Sequence, residues 1–102
     1  MGFARSRSLT VTADGANNQT PWISAKKGLV ATLRGTFVGT ATLQRKGADG
    51  NAVDVLSGGS PVTYTAAGAV PFNTNFVQGE YRLNMKAGAY TSGSCAMSLE
   101  AS

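Results

Sequence analysis

The chain has 102 residues, which leaves no room for two catalytic domains because single hydrophobic cores are usually built from about 100 to 150 residues. Hydrophobic residues make up 42% of it, but 15 of them are alanine, so the larger apolar side chains imply a modest core; only 14% of residues are charged, against about 25% in ordinary soluble domains. Nine Lys and Arg face five Asp and Glu for a net charge of +4, and the absence of His excludes, within this chain, a Cys–His dyad, a Ser–His–Asp triad and a His-ligated zinc site.

Period-two alternation runs through the sequence, and no stretch carries a helical apolar stripe. Met1 to Ser8 has no apolar centre of the kind a signal peptide needs, and it reads as an extended, mildly basic arm. Leu9, Val11 and Ala13 alternate with threonines up to the Asp14-Gly15 turn. Thr20-Pro21-Trp22-Ile23 contains proline and therefore belongs to an edge or a strand start. Leu29, Ala31 and Leu33 form the next strand, which Gly35 interrupts, and Phe37, Gly39, Ala41 and Leu43 continue the pattern. A turn over Gly47 to Asn51 leads to Val53 and Val55. Ser57-Gly58-Gly59-Ser60-Pro61 has linker composition but too little chain on either side for separate cores, so it is expected as a long loop. Val62, Tyr64 and Ala66 alternate, Gly68 to Asn75 is expected as irregular or edge structure, and Tyr81, Leu83, Met85 and then Cys95, Met97, Leu99 close the pattern.

About eight short strands at roughly ten-residue spacing with glycine-containing turns predict an all-β chain, a single antiparallel β-sandwich of jelly-roll type over residues 9–102. Its expected core is Leu9, Val11, Leu29, Leu33, Phe37, Leu43, Val53, Val55, Val62, Tyr64, Tyr81, Leu83, Met85, Met97 and Leu99. Cys95 is the only cysteine, so no intrachain disulfide forms, and its phase with Met97 and Leu99 makes it a small buried hydrophobe.

Asp14 and Asp49 precede glycines in turn chemistry and Glu100 lies near the end of the chain, so no paired-carboxylate catalysis is expected. Asp49, Asn51 and Asp54 lack the full calcium-loop pattern and read as a hairpin turn. Neither a metal nor a cofactor is expected. The basic residues are spread along the chain, with Lys26-Lys27 and Arg45-Lys46 flanking turns as a solvated rim, and direct nucleic-acid or membrane binding is not expected. Phe37, Tyr64 and Tyr81 are in phase with the core. Trp22, Phe72 and Phe76 fall in irregular segments and are candidates, with Phe3, Arg5 and Arg7 of the arm, for contact with another protein.

The segment Gly39 to Arg45 reads Gly-Thr-Ala-Thr-Leu-Gln-Arg and is followed by Asp49-Gly50; later come Tyr81-Arg82-Leu83, Tyr90-Thr91-Ser92-Gly93 and the alternating Cys95 to Leu99. With these pieces the chain resembles, from Gly28 onward, the small β-sandwich proteins encoded in the structural-gene clusters of tailed bacteriophages. It departs from many of them in having Asn51-Ala52-Val53 where they carry a tryptophan after the Asp-Gly turn. The resemblance implies a non-enzymatic virion protein, made in the host cytoplasm, that decorates the outer capsid surface and cements neighbouring subunits. The major capsid protein is the implied partner, and a homodimer or homotrimer is expected. The alternative is a receptor- or glycan-binding module of a tail or head fibre, for which Asn17, Asn18, Gln19, Trp22, Asn73, Asn75 and Phe76 supply amide and aromatic chemistry.

Overall fold

The computed structural model describes residues 5–11, 18–72, 77–86 and 89–101, with the backbone alone for residues 5–9 and 11. The strands in chain order are β1 (Arg5–Val11), β2 (Asn18–Gln19), β3 (Ile23–Ala25), β4 (Leu29–Arg34), β5 (Phe37–Gly39), β6 (Ala41–Lys46) and β7 (Ala52–Asp54). They continue with β8 (Leu56–Ser57), β9 (Ser60–Pro61), β10 (Thr63–Tyr64), β11 (Gly68–Phe72), β12 (Gly79–Met85), β13 (Tyr90–Gly93) and β14 (Cys95–Ala101). No helix occurs among the described residues.

Two antiparallel sheets enclose the core. The first has the order β1-β14-β4-β11, and the second the order β10-β6-β12-β2, with β3 also beside β12 and β7 also beside β6. Alternation decides which side faces inward: Leu29, Ala31 and Leu33 of β4 and Cys95, Met97, Leu99 and Ala101 of β14 are buried. Opposite them lie Ala41 and Leu43 of β6, Tyr81, Leu83 and Met85 of β12, and Ile23 and Ala25 of β3. Four of these are alanines, none of them among the fifteen expected core residues, so small side chains fill part of the space between the sheets.

Nine of the fifteen expected core residues are buried: Leu29, Leu33, Leu43, Tyr64, Tyr81, Leu83, Met85, Met97 and Leu99. Phe37, Val55 and Val62 pack against them half-buried, while the side chains of Leu9 and Val11 lie outside the described residues. Val53 is a correction, being 55% exposed. It shares a parity with Val55 but sits where β7 runs along the open border of the second sheet, with only β6 beside it. Ile23 and Tyr90, in short strands whose alternation is too brief to read, are buried.

Two boundaries also differ, and one of two alternatives is decided. The first strand begins at Arg5, with Arg5 opposite Ala101 and Val11 opposite Cys95, so Arg5 to Ser8 run along β14 as part of the sheet. Gly68–Phe72 forms an edge strand on β4, which accommodates Pro71 because proline withholds a donor that only an inner strand needs on both sides.

The second difference is the expected long loop. Gly58 and Gly59 take φ of +63° and +85° and close a two-residue hairpin in which Leu56 pairs with Pro61 and Ser57 with Ser60. Two positive φ values in succession are the geometry of a type I′ turn, whose twist suits paired strands. This hairpin is extruded from one strand position: Asp54 is opposite Gln44 and Thr63 opposite Thr42, so the chain leaves the sheet after Val55 and returns at Val62. Its base is closed by three bonds, from the Val55 N–H to the Leu43 carbonyl, from the Leu43 N–H to the Val62 carbonyl, and from the Val62 N–H to the Val55 carbonyl.

Where β4 leads into β5 and β13 into β14, the two chains cross in close contact. The Ser94 N–H donates to the Thr36 carbonyl at 2.9 Å. Gly93, at φ +93°, lies so near Thr36 that a Cβ would stand 2.1 Å from its carbonyl oxygen.

Candidate functional site

The extruded hairpin creates a cleft on each side. One, of about 410 Å³, is lined by Val53, Val55, Leu56, Phe72, Val77 and Tyr81, with Arg45 among them. Leu56 and Val77 are 58% and 57% exposed, so with Val53 they give this cleft three large aliphatic side chains in contact with solvent. The Tyr81 hydroxyl donates to the Val77 carbonyl and pins the chain that carries Val77. The other cleft is more open and is lined by Pro61, Val62, Tyr64, Val70 and Pro71. Phe72 and Ser57 line both clefts, which makes the two sides of the hairpin one continuous surface. Exposed apolar side chains gathered in this way mark a contact surface more often than scattered ones do.

The outward face of the second sheet is chemically different. Gln44 and Asn84 are 6% exposed although they alternate away from the core. Gln44 is the hub: its amide donates to Asp54 at 2.9 Å, and its Oε1 accepts from Arg82 at 3.0 Å and from Asn84 at 3.2 Å. Lys86 donates to the second oxygen of Asp54 at 2.6 Å. The bonds from Gln44 and Lys86 hold the Asp54 carboxyl below its ordinary pKa. Burial lowers the pKa of Arg82, whose guanidinium lies 4.5 Å from the centre of the Trp22 ring, with Lys46 at 5.7 Å.

The sequence candidates are therefore dispersed. Trp22 is half-buried and engaged by Arg82 and Lys46, and it lines neither cleft at the hairpin. Phe72 is the last residue of a strand rather than part of an irregular segment, and it packs half-buried against the core between the two clefts. Arg5 and Arg7 lie on β1, where only their backbone is described; Phe3 and Phe76 lie outside the described residues. The exposed cluster of Val53, Leu56 and Val77 was not found from sequence. Leu56 adjoins a linker-like run, Val53 has core parity, and Val77 follows Phe76 in a segment with no alternating pattern.

Four carboxylates are described. Asp49 accepts from the Asn51 backbone N–H at 3.0 Å and from its side-chain amide at 3.1 Å, which lowers its pKa and makes it the turn residue expected. Asp54 serves the Gln44 network, Glu80 stands 3.9 Å from Lys46, and Glu100 is exposed on β14. No group of three metal-ligating side chains occurs among the described residues. Cys95 is buried, and burial pushes its thiol up in pKa, away from the reactive thiolate. Comparison with protein-family models, with characterised proteins and with solved structures finds no match to this chain.

Proposed function

We propose that this domain is a decoration protein of tailed-bacteriophage heads, which binds the outer surface of the assembled shell and bridges neighbouring capsid subunits. The observation that carries this reading is the hairpin surface, where Val53, Leu56 and Val77, three of the five exposed large aliphatic side chains among the described residues, gather around one cleft on a domain with few charged residues. Such a surface is suited to burial against another chain. The strand order gives further support. With β2 and β3, β5 and β6, β7 and β10, and β13 and β14 each taken as one interrupted strand, the sheets read 1-8-3-6 and 5-4-7-2, the connectivity of a jelly roll, an architecture common among capsid and lectin domains.

Many weakly bound copies act together on a repetitive shell, and binding to the folded state alone stabilises each copy by mass action. A homodimer or homotrimer at a symmetry axis, joined outside the hairpin cleft, is part of the same proposal. Because Arg5 to Ser8 pair with β14, an arm reaching onto a neighbouring subunit is confined to residues before Arg5. The glycan-binding alternative needs an open aromatic platform, and the engagement of Trp22 by Arg82 and Lys46 gives it no support.

Quantitative mass spectrometry and imaging of purified particles test the proposal. The protein is expected on heads, in copy numbers that are a simple multiple or fraction of the capsid subunit count. Absence from heads, or a few copies at the tail, overturns it.

A further inference from the structure

Arg45 is the unusual member of the hairpin cleft. On β6 it follows Ala41 and Leu43 in the parity that faces the core, so alternation calls for an apolar residue where a guanidinium stands. The side chain lies against Gly79, where a Cβ would be 3.0 Å from its Nε and 3.1 Å from its Nη2. Nη2 donates to the Gln78 carbonyl at 3.1 Å, but Nε is buried without a hydrogen-bond partner. Among the described residues no carboxylate lies within ion-pair distance of it. Its neighbours on the same sheet are all engaged: Lys46 with Glu80, Lys86 with Asp54, and Arg82 with Gln44. Asp54, which lines the same cleft, is committed to Gln44 and Lys86.

Nε is closed off from solvent, but Nη1 has no hydrogen-bond partner among the described residues and is not closed off, so this cation among apolar walls is stabilised most by a carboxylate that reaches Nη1 with apolar groups around it. We infer that the cleft receives a segment of a partner protein in which an acidic side chain stands between aliphatic ones, the carboxylate meeting Arg45 and the aliphatic groups covering Val53, Leu56 and Val77. An extended segment fits better than a small organic acid, because the apolar surface continues past Phe72 to the other side of the hairpin. A partner other than a second copy is favoured by charge, since two copies at +4 repel, and by Asp54, the carboxylate beside exposed Val53, being already occupied. The inference rests on the shell-docking reading only for the identity of the partner.

Titration of the labelled protein, followed by nuclear magnetic resonance, tests it with two blocked pentapeptides, Gly-Leu-Glu-Leu-Gly and its glutamine counterpart Gly-Leu-Gln-Leu-Gly. Shifts are expected at Val53, Leu56, Phe72, Val77 and the Arg45 Nε, with the acidic peptide bound about tenfold more tightly, as a charge-assisted bond provides. Arg45→Gln is expected to erase that preference, and Leu56→Ser, on the hairpin away from the core, to weaken both peptides. Equal binding of the two peptides by the native protein, an absence of shifts in the cleft at millimolar peptide, or equally tight binding of hexanoate overturns the inference. Failure here is separable from failure of the capsid reading: heads that take up Arg45→Gln and Leu56→Ser as fully as the native protein remove the cleft from the contact and leave decoration standing, whereas a protein absent from heads does the reverse if the acidic peptide still binds.

Discussion

Gly93 and Gly59 share a backbone conformation but not a surrounding, and the pair separates two costs. Both have φ near +90°, which strains any residue with a Cβ. At Gly59 nothing lies within 4 Å of the added carbon, whereas at Gly93 it would meet the Thr36 carbonyl oxygen at 2.1 Å and the Phe37 Cα at 2.7 Å, both backbone atoms that cannot swing aside. Gly59→Ala is therefore expected to cost about 1 kcal/mol and Gly93→Ala roughly 3 kcal/mol or more, measured by urea denaturation. Asp54 supports a prediction about pH. Its folded pKa lies below the unfolded value, so its contribution is present above the unfolded carboxylate range and is lost as pH falls through the folded pKa. Asp54→Asn is expected to lower stability by about 1 kcal/mol at neutral pH and to make the loss between neutral pH and pH 3 smaller than in the native protein. An unchanged acid slope in the variant would assign the acid sensitivity to other carboxylates.

The hairpin over Leu56–Pro61 behaves as an element added to a complete strand position. Val55 and Val62 form a bonded pair of the same parity as Ser57 and Ser60, so deletion of Leu56, Ser57, Ser60 and Pro61 sets the Gly58-Gly59 turn directly on the base. Closing a loop four residues shorter changes chain entropy by less than about 1 kcal/mol, and the deletion is expected to leave the melting temperature within a few degrees while abolishing peptide binding in the cleft. Loss of folding would show instead that the hairpin supports the sheet. The sequence concealed this element because Ser-Gly-Gly-Ser has the composition of a flexible linker as well as that of a type I′ turn. The inner strands β4, β12 and β14 were legible from three or more alternating apolar or small residues, and β6 because Ala41 and Leu43 continue the alternation of Phe37 and Gly39 before them; the edge strand β1 was legible only from Leu9 onward. Gly68–Phe72 was legible only as an edge, since its proline and glycine suppress the pattern of a strand while leaving its pairing to β4 intact.

For the molecule as a whole, alternation established that the chain is all-β and antiparallel, because each inner strand carries its own record of which side is buried. It did not locate the exposed cluster at the hairpin, which arises from segments far apart in sequence: Val53, Leu56 and Val77 converge only once β7, the hairpin and the entry to β12 are in place. Nor did it single out Arg45, whose basic dipeptide with Lys46 reads as a turn flank until Gly79 and Gln78 are brought against it. Edge protection follows the same logic. Pro71 on β11 removes a donor from one border of the first sheet and so discourages pairing with a stray strand.

The position of β14 has a consequence for the order of events during synthesis. It lies between β1 and β4, pairing with Arg5–Val11 on one side and Leu29–Arg34 on the other, yet it is the last of the described strands to leave the ribosome. Until Cys95–Ala101 emerges, β1 has no partner in the first sheet, and the inward face of β12 lacks Met97 and Leu99 across from it. The nascent chain can thus preassemble much of the second sheet around β6 and β12 but cannot close over it. Folding waits for contacts that span about ninety residues, a separation typical of β-domains that fold in milliseconds to seconds rather than microseconds. During that interval the exposed strand borders are open to aggregation, a hazard that low hydrophobicity and a +4 charge help to limit.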